Sequence, residues 1–474
     1  MAFRYLYSLL WYLLAPVVAF YLVRRSKRQP AYRLHWHERF MGQMPTMPSP
    51  PIWLHAVSVG ETRAAIPLVK ALQDHFPQLP ILITQMTPTG RDTARQLFAN
   101  MGCRGQHIAF AYLPYDMPHA VQRFLSEVKP RVGVLMETEV WPNLIHAAHK
   151  RHIPLFLVNA RLSERSARGY RRIRPLIAPA LRQLTQIAAQ TQADADRFTA
   201  LASSCSVTVV GNTKFDVRPT WDSLDLAAQF RLWCGERSVL VAASTREGEE
   251  ALLLDALPAD FPALLVIVPR HPERFADVAK LLEARHIPFQ RRSEKQPLRP
   301  ETRVWLGDSM GELFAYYRIA DVAFIGGSLL PLGGQNLIEA ACLGVPIVMG
   351  PSDFNFSQVT ALAAQAGALQ RVDTPAEVFE AAAAILHHPT LMKAMGAAGL
   401  AFAAAHQGAT ERILNVLLTT LANQDSDSLS VVSSSVASGH AQNKRSGAIH
   451  LSSVCGYFIV MIEENFFFKG SVTG

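Results

Sequence analysis

Between residues 50 and 350 the chain alternates short apolar runs with amphipathic stretches, and it does so in two separate blocks. In the first block the runs are Ile52–Val57, Ile81–Thr84, Val132–Met136, Leu155–Val158, Ile187–Ala189 and Val207–Val210. The stretches between them carry helical spacing; Thr62–Asp74, for example, sets Ala65, Ile66, Val69 and Leu72 on one face. Strand, helix, strand in repetition is the pattern of a parallel sheet covered by helices on both faces. A polar connector with Pro219, Thr220 and Asp222 interrupts the pattern, which then restarts. The second set of runs is Val239–Ala242, Leu264–Val268, Arg303–Leu306, Val322–Ile325 and Pro346–Met349. The fold class expected is therefore α/β, with two Rossmann-like domains at residues 29–215 and 232–423 joined by a linker at 216–231. Ligands of such domains bind at the carboxyl ends of the strands, in a cleft between the halves.

Composition supports buried sheets: 49% of the 474 residues are hydrophobic and 18% charged. The net charge of +8, with a pI near 9.3, suits a partner rich in phosphate or carboxylate. Nucleic acid is not the expected partner, because no zinc-finger spacing, RNP signature or basic zipper is present. The five cysteines (Cys103, Cys205, Cys234, Cys342 and Cys455) are far apart and contain no CxxC, which excludes a disulfide framework and a structural zinc site. A reducing compartment fits them.

Tyr5–Val23 is nineteen residues without a charge, long enough to cross a bilayer as a helix. Arg24, Arg25, Lys27 and Arg28 follow, so residues 1–28 are expected to be a retained membrane anchor with its basic flank on the cytoplasmic side. No small-residue cleavage site follows the apolar run, as a signal peptide would need. A helix lying in the membrane interface is the other reading. At the far end, residues 424–474 are serine-rich and aperiodic, the composition of a disordered tail, and the run in YFIVMIEENFFFKG is too short to span.

Several strings carry candidate chemistry. In His55-Ala56-Val57-Ser58-Val59-Gly60-Glu61 a strand gives way to a helix, and Glu61 sits at that helix's amino end. There it serves either as a general base or simply as a stabiliser of the helix start. Glu137 and Glu139 follow an apolar strand; if the strand continues, both point to one side, for catalysis or for a salt bridge to an arginine. Lys214, where the first block ends, is either a cation for a developing negative charge or a solvated surface lysine. In the second block Pro269-Arg270, Met310-Gly311-Glu312, Gly326-Gly327-Ser328 and Asn336-Leu337-Ile338-Glu339 follow strands or open helices. Each alone is a generic turn; together they suit one nucleotide site. Neither GxxxxGK[ST] nor GxGxxG is present, which argues against a P-loop kinase and a dinucleotide enzyme. Arg161–Arg174 holds six arginines, for a solvated face or for anionic lipid and phosphate. No metal cluster is read among the sixteen histidines and no HExxH occurs, so no metal site is expected.

Taken in order, HAVSVGE (55–61), TPTGRD (87–92), YLPYD (112–116), METEVWPN (136–143), NARLSERS (159–166), GNTKFD (211–216), STREGEE (244–250), VPRHPERF (268–275), GDSMGEL (307–313), FIGGS (324–328), GGQNLIEA (333–340) and MGPSDFNF (349–356) resemble the 3-deoxy-D-manno-octulosonic acid (Kdo) transferase family of lipopolysaccharide synthesis. HERF (37–40) and the apolar amino terminus fit as well, so the resemblance covers roughly residues 1–420 and ends at the tail.

The resemblance implies a glycosyltransferase-B fold, with an acceptor-side domain at 29–215 and a CMP-sugar-binding domain with a C-terminal helix at 232–423. It implies an inverting, metal-independent enzyme without a cofactor. Such an enzyme moves Kdo from CMP-Kdo to the lipid A precursor, lipid IVA, at the cytoplasmic face of the bacterial inner membrane. The family's base falls on Glu61, and its assisting groups on Glu137 and Lys214. Its CMP-binding strings fall on Pro269, Arg270, Met310, Gly311, Glu312, Asn336, Leu337, Ile338 and Glu339, with Leu337 acting through its backbone. Two rival readings are a related membrane-bound transferase using another nucleotide sugar and a non-catalytic membrane scaffold.

Overall fold

The computed structural model describes residues 2–27, 29–99, 107–216 and 221–430. Arg28, Cys103, Pro219, Thr220, Cys455 and the serine-rich segment past Ser430 lie outside the described residues. The chain divides into two compact units, one of Met1–Asp216 with everything from Gly408 onward, the other of Val217–Gln407.

The first unit holds one wholly parallel sheet of β1 (Ile52–His55), β2 (Ile81–Gln85), β3 (Ile108–Tyr112), β4 (Val132–Met136), β5 (Leu155–Ala160), β6 (Gln186–Ala189) and β7 (Val207–Val209). Their order is β3-β2-β1-β4-β5-β6-β7. Every residue of β1, β2, β4 and β5 is buried, which is why these strands read as unbroken apolar runs rather than as alternation. The chain runs outward from β1 to β3 and then resumes beside β1 as β4. This reversal leaves a crevice at the carboxyl ends of β1 and β4, where such sheets take ligands.

The second unit repeats the plan with β8 (Val239–Thr245), β9 (Leu264–Pro269), β10 (Phe289–Arg291), β11 (Val304–Leu306), β12 (Val322–Ile325), β13 (Ile347–Met349) and β14 (Leu369–Arg371). The order is β10-β11-β9-β8-β12-β13-β14, again all parallel, with the reversal between β8 and β12.

Four details differ from the sequence expectation. Three strands, β3, β10 and β14, escape it; each is an outermost strand, and β10 and β14 are only three residues long with polar residues among them. The helix expected over Thr62–Asp74 is two helices, Val59–Ala64 and Ile66–His75. Pro67 lies in the first turn of the second, where its missing N–H costs nothing, and so marks a fresh start. Residues assigned to the linker include the start of the helix Trp221–Cys234, whose Phe230 and Trp233 pack on Trp305. Finally, the C-terminal helix Ala409–Ser430 belongs to the first unit. Its Ile413, Leu414 and Leu417 pack in one cluster with Leu68, Val69 and Leu72, while Asp216 accepts hydrogen bonds from the N–H groups of Gly408 (2.7 Å) and Thr410 (2.6 Å).

Candidate active site

In the first unit the loop after β1 runs into the helix Val59–Ala64, with Ser58 as its N-cap. Glu61 sits in the first turn and is 2% exposed. Its carboxylate accepts a hydrogen bond from the Val57 N–H at 2.6 Å, and its own N–H reaches Ser58 Oγ at 3.4 Å. The carboxylate thus closes back on the residue before the N-cap, a bond that fixes it at the carboxyl end of β1.

After β4 the strand does not continue. Met136 is its last residue, and Glu137 takes a left-handed conformation with φ at +57°. This parts the two glutamates that strand alternation would have aligned. Glu137 forms an ion pair with Lys214 Nζ at 3.3 Å, both side chains being partly accessible at 14% and 25%. Glu139 turns inward, accepts from Trp141 Nε1 at 2.8 Å and lies 3.9 Å from His55 Nε2. The partner of Glu137 is thus a lysine 77 positions away rather than a nearby arginine. Lys214 is delivered by the turn Thr213–Asp216, which Asn159 Oδ1 holds through the Thr213 N–H at 3.1 Å. The apposition of Glu137 and Lys214 is the pairing of sequence candidates that this unit makes directly.

HERF, TPTGRD and YLPYD meet in one buried structural knot beside this edge. Arg91 holds Glu38 with two hydrogen bonds, of 2.7 and 3.0 Å, and the Tyr112 N–H adds a third at 2.7 Å. Arg39 lies over the Tyr112 ring at 3.6 Å. His35, His37 and Glu38, three neighbours in sequence that were not among the candidates above, bring three potential metal-ligand atoms within 4.8 Å of one another. Both oxygens of Glu38 are already engaged by Arg91, so a cation there would have to displace a guanidinium.

In the second unit four loops leave the carboxyl ends of adjacent strands β11, β9, β8 and β12. Pro269 ends β9, and the Arg270 N–H donates to Thr245 O at 3.0 Å. After β11, Asp308 accepts from Ser293 and Glu312 takes Arg292 in a two-pronged pair at 3.0 Å, so the loop is laced down on both sides. Met310 stands 49% exposed between them, and Gly311, with φ at +82°, faces open space. Asn336 accepts from the Ile338 N–H at 3.1 Å and donates to Glu339 at 3.1 Å. Leu337 and Ile338 are fully buried.

One residue of this edge was not singled out from the sequence. Glu249, fully buried in the turn after β8, accepts from the N–H groups of Arg246 (3.0 Å), Ser328 (2.9 Å) and Leu329 (3.0 Å), and from that of Gly327. Burial pushes its carboxyl above the usual range, against the pull of these bonds. It shapes the Gly326-Gly327-Ser328 loop, where a Cβ on Gly326 would lie 2.6 Å from the Thr245 backbone. The signal was available: Glu249 follows the first strand of its unit as Glu61 follows β1.

The family model of 3-deoxy-D-manno-octulosonic-acid transferase matches residues 34–217. The 3-deoxy-D-manno-octulosonic acid transferase of Bordetella pertussis is 41% identical over 432 residues, covering 87% of this chain and 98% of that one. The chain belongs to the Kdo transferase family. The Kdo transferase of Haemophilus influenzae is 37% identical over 423 residues, with the same coverage. Among solved structures, the UDP-GlcNAc 2-epimerase of Neisseria meningitidis, bound to UDP-GlcNAc, aligns with a TM-score of 0.55 at 16% identity, over 78% of this chain and all of its own. A glycosyltransferase of Rickettsia africae aligns with a TM-score of 0.52 at 11% identity, over 78% of this chain and 98% of its own. At those identities the likeness is one of fold, the glycosyltransferase-B class with its two parallel sheets. This Kdo transferase is thus a glycosyltransferase whose family motifs, scattered over some 300 residues, are gathered at the carboxyl edges of its two sheets.

Proposed function

We propose that this Kdo transferase moves Kdo from CMP-Kdo to the lipid A precursor lipid IVA at the cytoplasmic face of the bacterial inner membrane, with inversion and without a metal ion. The observation that carries the reading is the convergence of Glu61, Glu137 and Lys214 on the carboxyl ends of β1 and β4 in a chain of this family. Glu61 takes the proton from the acceptor hydroxyl as that oxygen attacks the anomeric carbon. Attack opposite the leaving group inverts the centre, so no sugar–enzyme bond forms.

The leaving CMP gains negative charge. Arg270 and the backbone amides of the loops at Gly311 and Asn336–Glu339 offset that charge on the nucleotide side. Lys214, oriented by Glu137, assists as charge develops at the sugar. The leaving group is a monophosphate, which lessens the need for a divalent cation. Pro269, Met310 and Glu312 shape the CMP site, Glu312 through its hold on Arg292.

The test is transfer from CMP-Kdo to lipid IVA in the presence of a chelator, with the product lipid weighed by mass spectrometry. A mass gain of one or more Kdo units is expected; no gain with folded enzyme would sink the donor and acceptor assignment. Thermal shift separates the rival nucleotide-sugar reading, because CMP should raise the melting temperature and UDP should not.

A further inference from the structure

The apolar amino-terminal helix Ala2–Ser26 is docked along its length on the first unit. Tyr7, Trp11 and Leu22 are buried in that unit's larger core cluster. Trp11 stacks on Tyr115 at 5.7 Å and on Trp141 at 6.4 Å. Near the amino end, Arg4 and Ser8 both donate to Asn143 Oδ1, at 3.3 and 3.1 Å, and Tyr12 meets His119 at 2.9 Å. At the carboxyl end Ser26 accepts from Arg33 at 2.8 Å, and the Arg25 guanidinium lies over the Tyr32 ring. Both ends of a rod about 37 Å long are thus fastened to one folded unit.

The opposite face carries Tyr5, Leu9, Leu13, Val17 and Phe20, exposed by 54–68%. Their three- and four-residue spacing makes one continuous stripe. Exposed Arg24 and Lys27 follow its carboxyl end. The arginine-rich helix Glu164–Arg172, whose Tyr170 packs on the same core cluster as Tyr7, exposes Arg165, Arg168 and Arg171.

We propose that this helix lies in the plane of the membrane and does not span it, with its outer stripe in the acyl layer of one anionic leaflet and the flanking basic residues at the head groups. This rests on the inner-membrane localisation proposed above and adds the orientation. A spanning helix would carry Arg4 across the bilayer, uncover Trp11, Tyr115 and Trp141, and surrender the bonds to Asn143. The in-plane arrangement keeps all of these. It explains why the helix is apolar on every side: one face meets protein, the other lipid. The exposed Arg24 and Lys27 at the end of the stripe, on a chain with net charge +8, complement an anionic surface, which neither a second copy of this basic chain nor bare water would supply.

The experiment places single cysteines at Leu9→Cys, Leu13→Cys, Val17→Cys and Phe20→Cys in the full-length enzyme, labels them with a fluorophore, and reconstitutes them in phosphatidylglycerol vesicles carrying shallow or deep acyl-chain nitroxides. The unsubstituted enzyme, labelled in parallel, reports the background of its native thiols. We expect equal, predominantly shallow quenching at all four positions. We also expect Ala2→Cys and Lys27→Cys to react with an impermeant maleimide from the same side of sealed vesicles. Depth that varies along the helix, or opposite-side labelling, overturns the in-plane orientation and leaves the localisation standing. Labels untouched by either nitroxide in vesicle-bound enzyme overturn it too, by pointing to a second protein copy over the stripe. Enzyme that does not sediment with vesicles overturns localisation and orientation together.

Discussion

Glu61 and Glu249 occupy matching places, each in the turn after the first strand of its unit, and each carboxylate accepts backbone N–H groups. Glu249 binds four amides and is spent on shaping a loop. Glu61 makes its bond to Val57 and is held at the reversal between β1 and β4. A glutamine at position 61 can still accept from the Val57 N–H but cannot take a proton. Glu61→Gln is therefore expected to fold with near-parental stability, keep its CMP-induced thermal shift, and lose turnover by about 100-fold or more. Unchanged turnover would leave Glu61 as a helix-start residue only. The sequence named Glu61, Glu137 and Lys214 separately; their spatial roles depend on a left-handed residue at 137, which no periodicity announces.

At the level of elements, Asp116 ties the helix Pro142–Lys150 to the loop after β3. Its carboxylate accepts from the N–H groups of Asn143 (2.9 Å) and Leu144 (2.8 Å), the orphan donors of that helix's first turn. Full burial raises its pKa from 3.8 to about 6, with the two backbone bonds and Tyr7 opposing the rise. The folded chain then holds the proton more tightly than the unfolded one, so stability falls as pH climbs through the window from about 4 to 6. The contribution lost is on the order of 3 kcal/mol. Urea unfolding of Asp116→Asn and the parent should show the parent losing that much relative to the variant between pH 4 and 7. A constant difference would remove Asp116 as the source. This element also orients the amino-terminal helix, because Asn143 binds both Asp116 and Ser8.

For the whole molecule, the decisive feature is the return of the chain to its first unit at Gly408. Three apolar side chains of the helix Ala409–Ser430 are at most 4% exposed there, and burying each contributes about 1.5–3 kcal/mol. Ending the chain at Gln407 is expected to strip hydrogen-exchange protection from Ile66–His75 and β1 while the second unit keeps its protection and its response to CMP. Loss of protection in β8 and β9 instead would reassign the helix to the second unit, as the sequence had it.

Strand existence, the two-block plan and the family followed from sequence alone, because fully buried parallel strands write themselves as apolar runs and the motifs are local strings. Of the outermost strands β3, β10 and β14 did not; for β10 and β14 the reason is that three residues at a sheet margin need no apolar run. Nor did the attachment of the last helix, which depends on contacts with residues some 350 positions earlier. The same holds for the amino-terminal helix: its apolar length was plain in the sequence, but only tertiary packing divides its surface into a face that meets Trp141 and Tyr115 and a face left exposed. Periodicity reports which residues avoid water; it does not report whether protein or bilayer replaces the water.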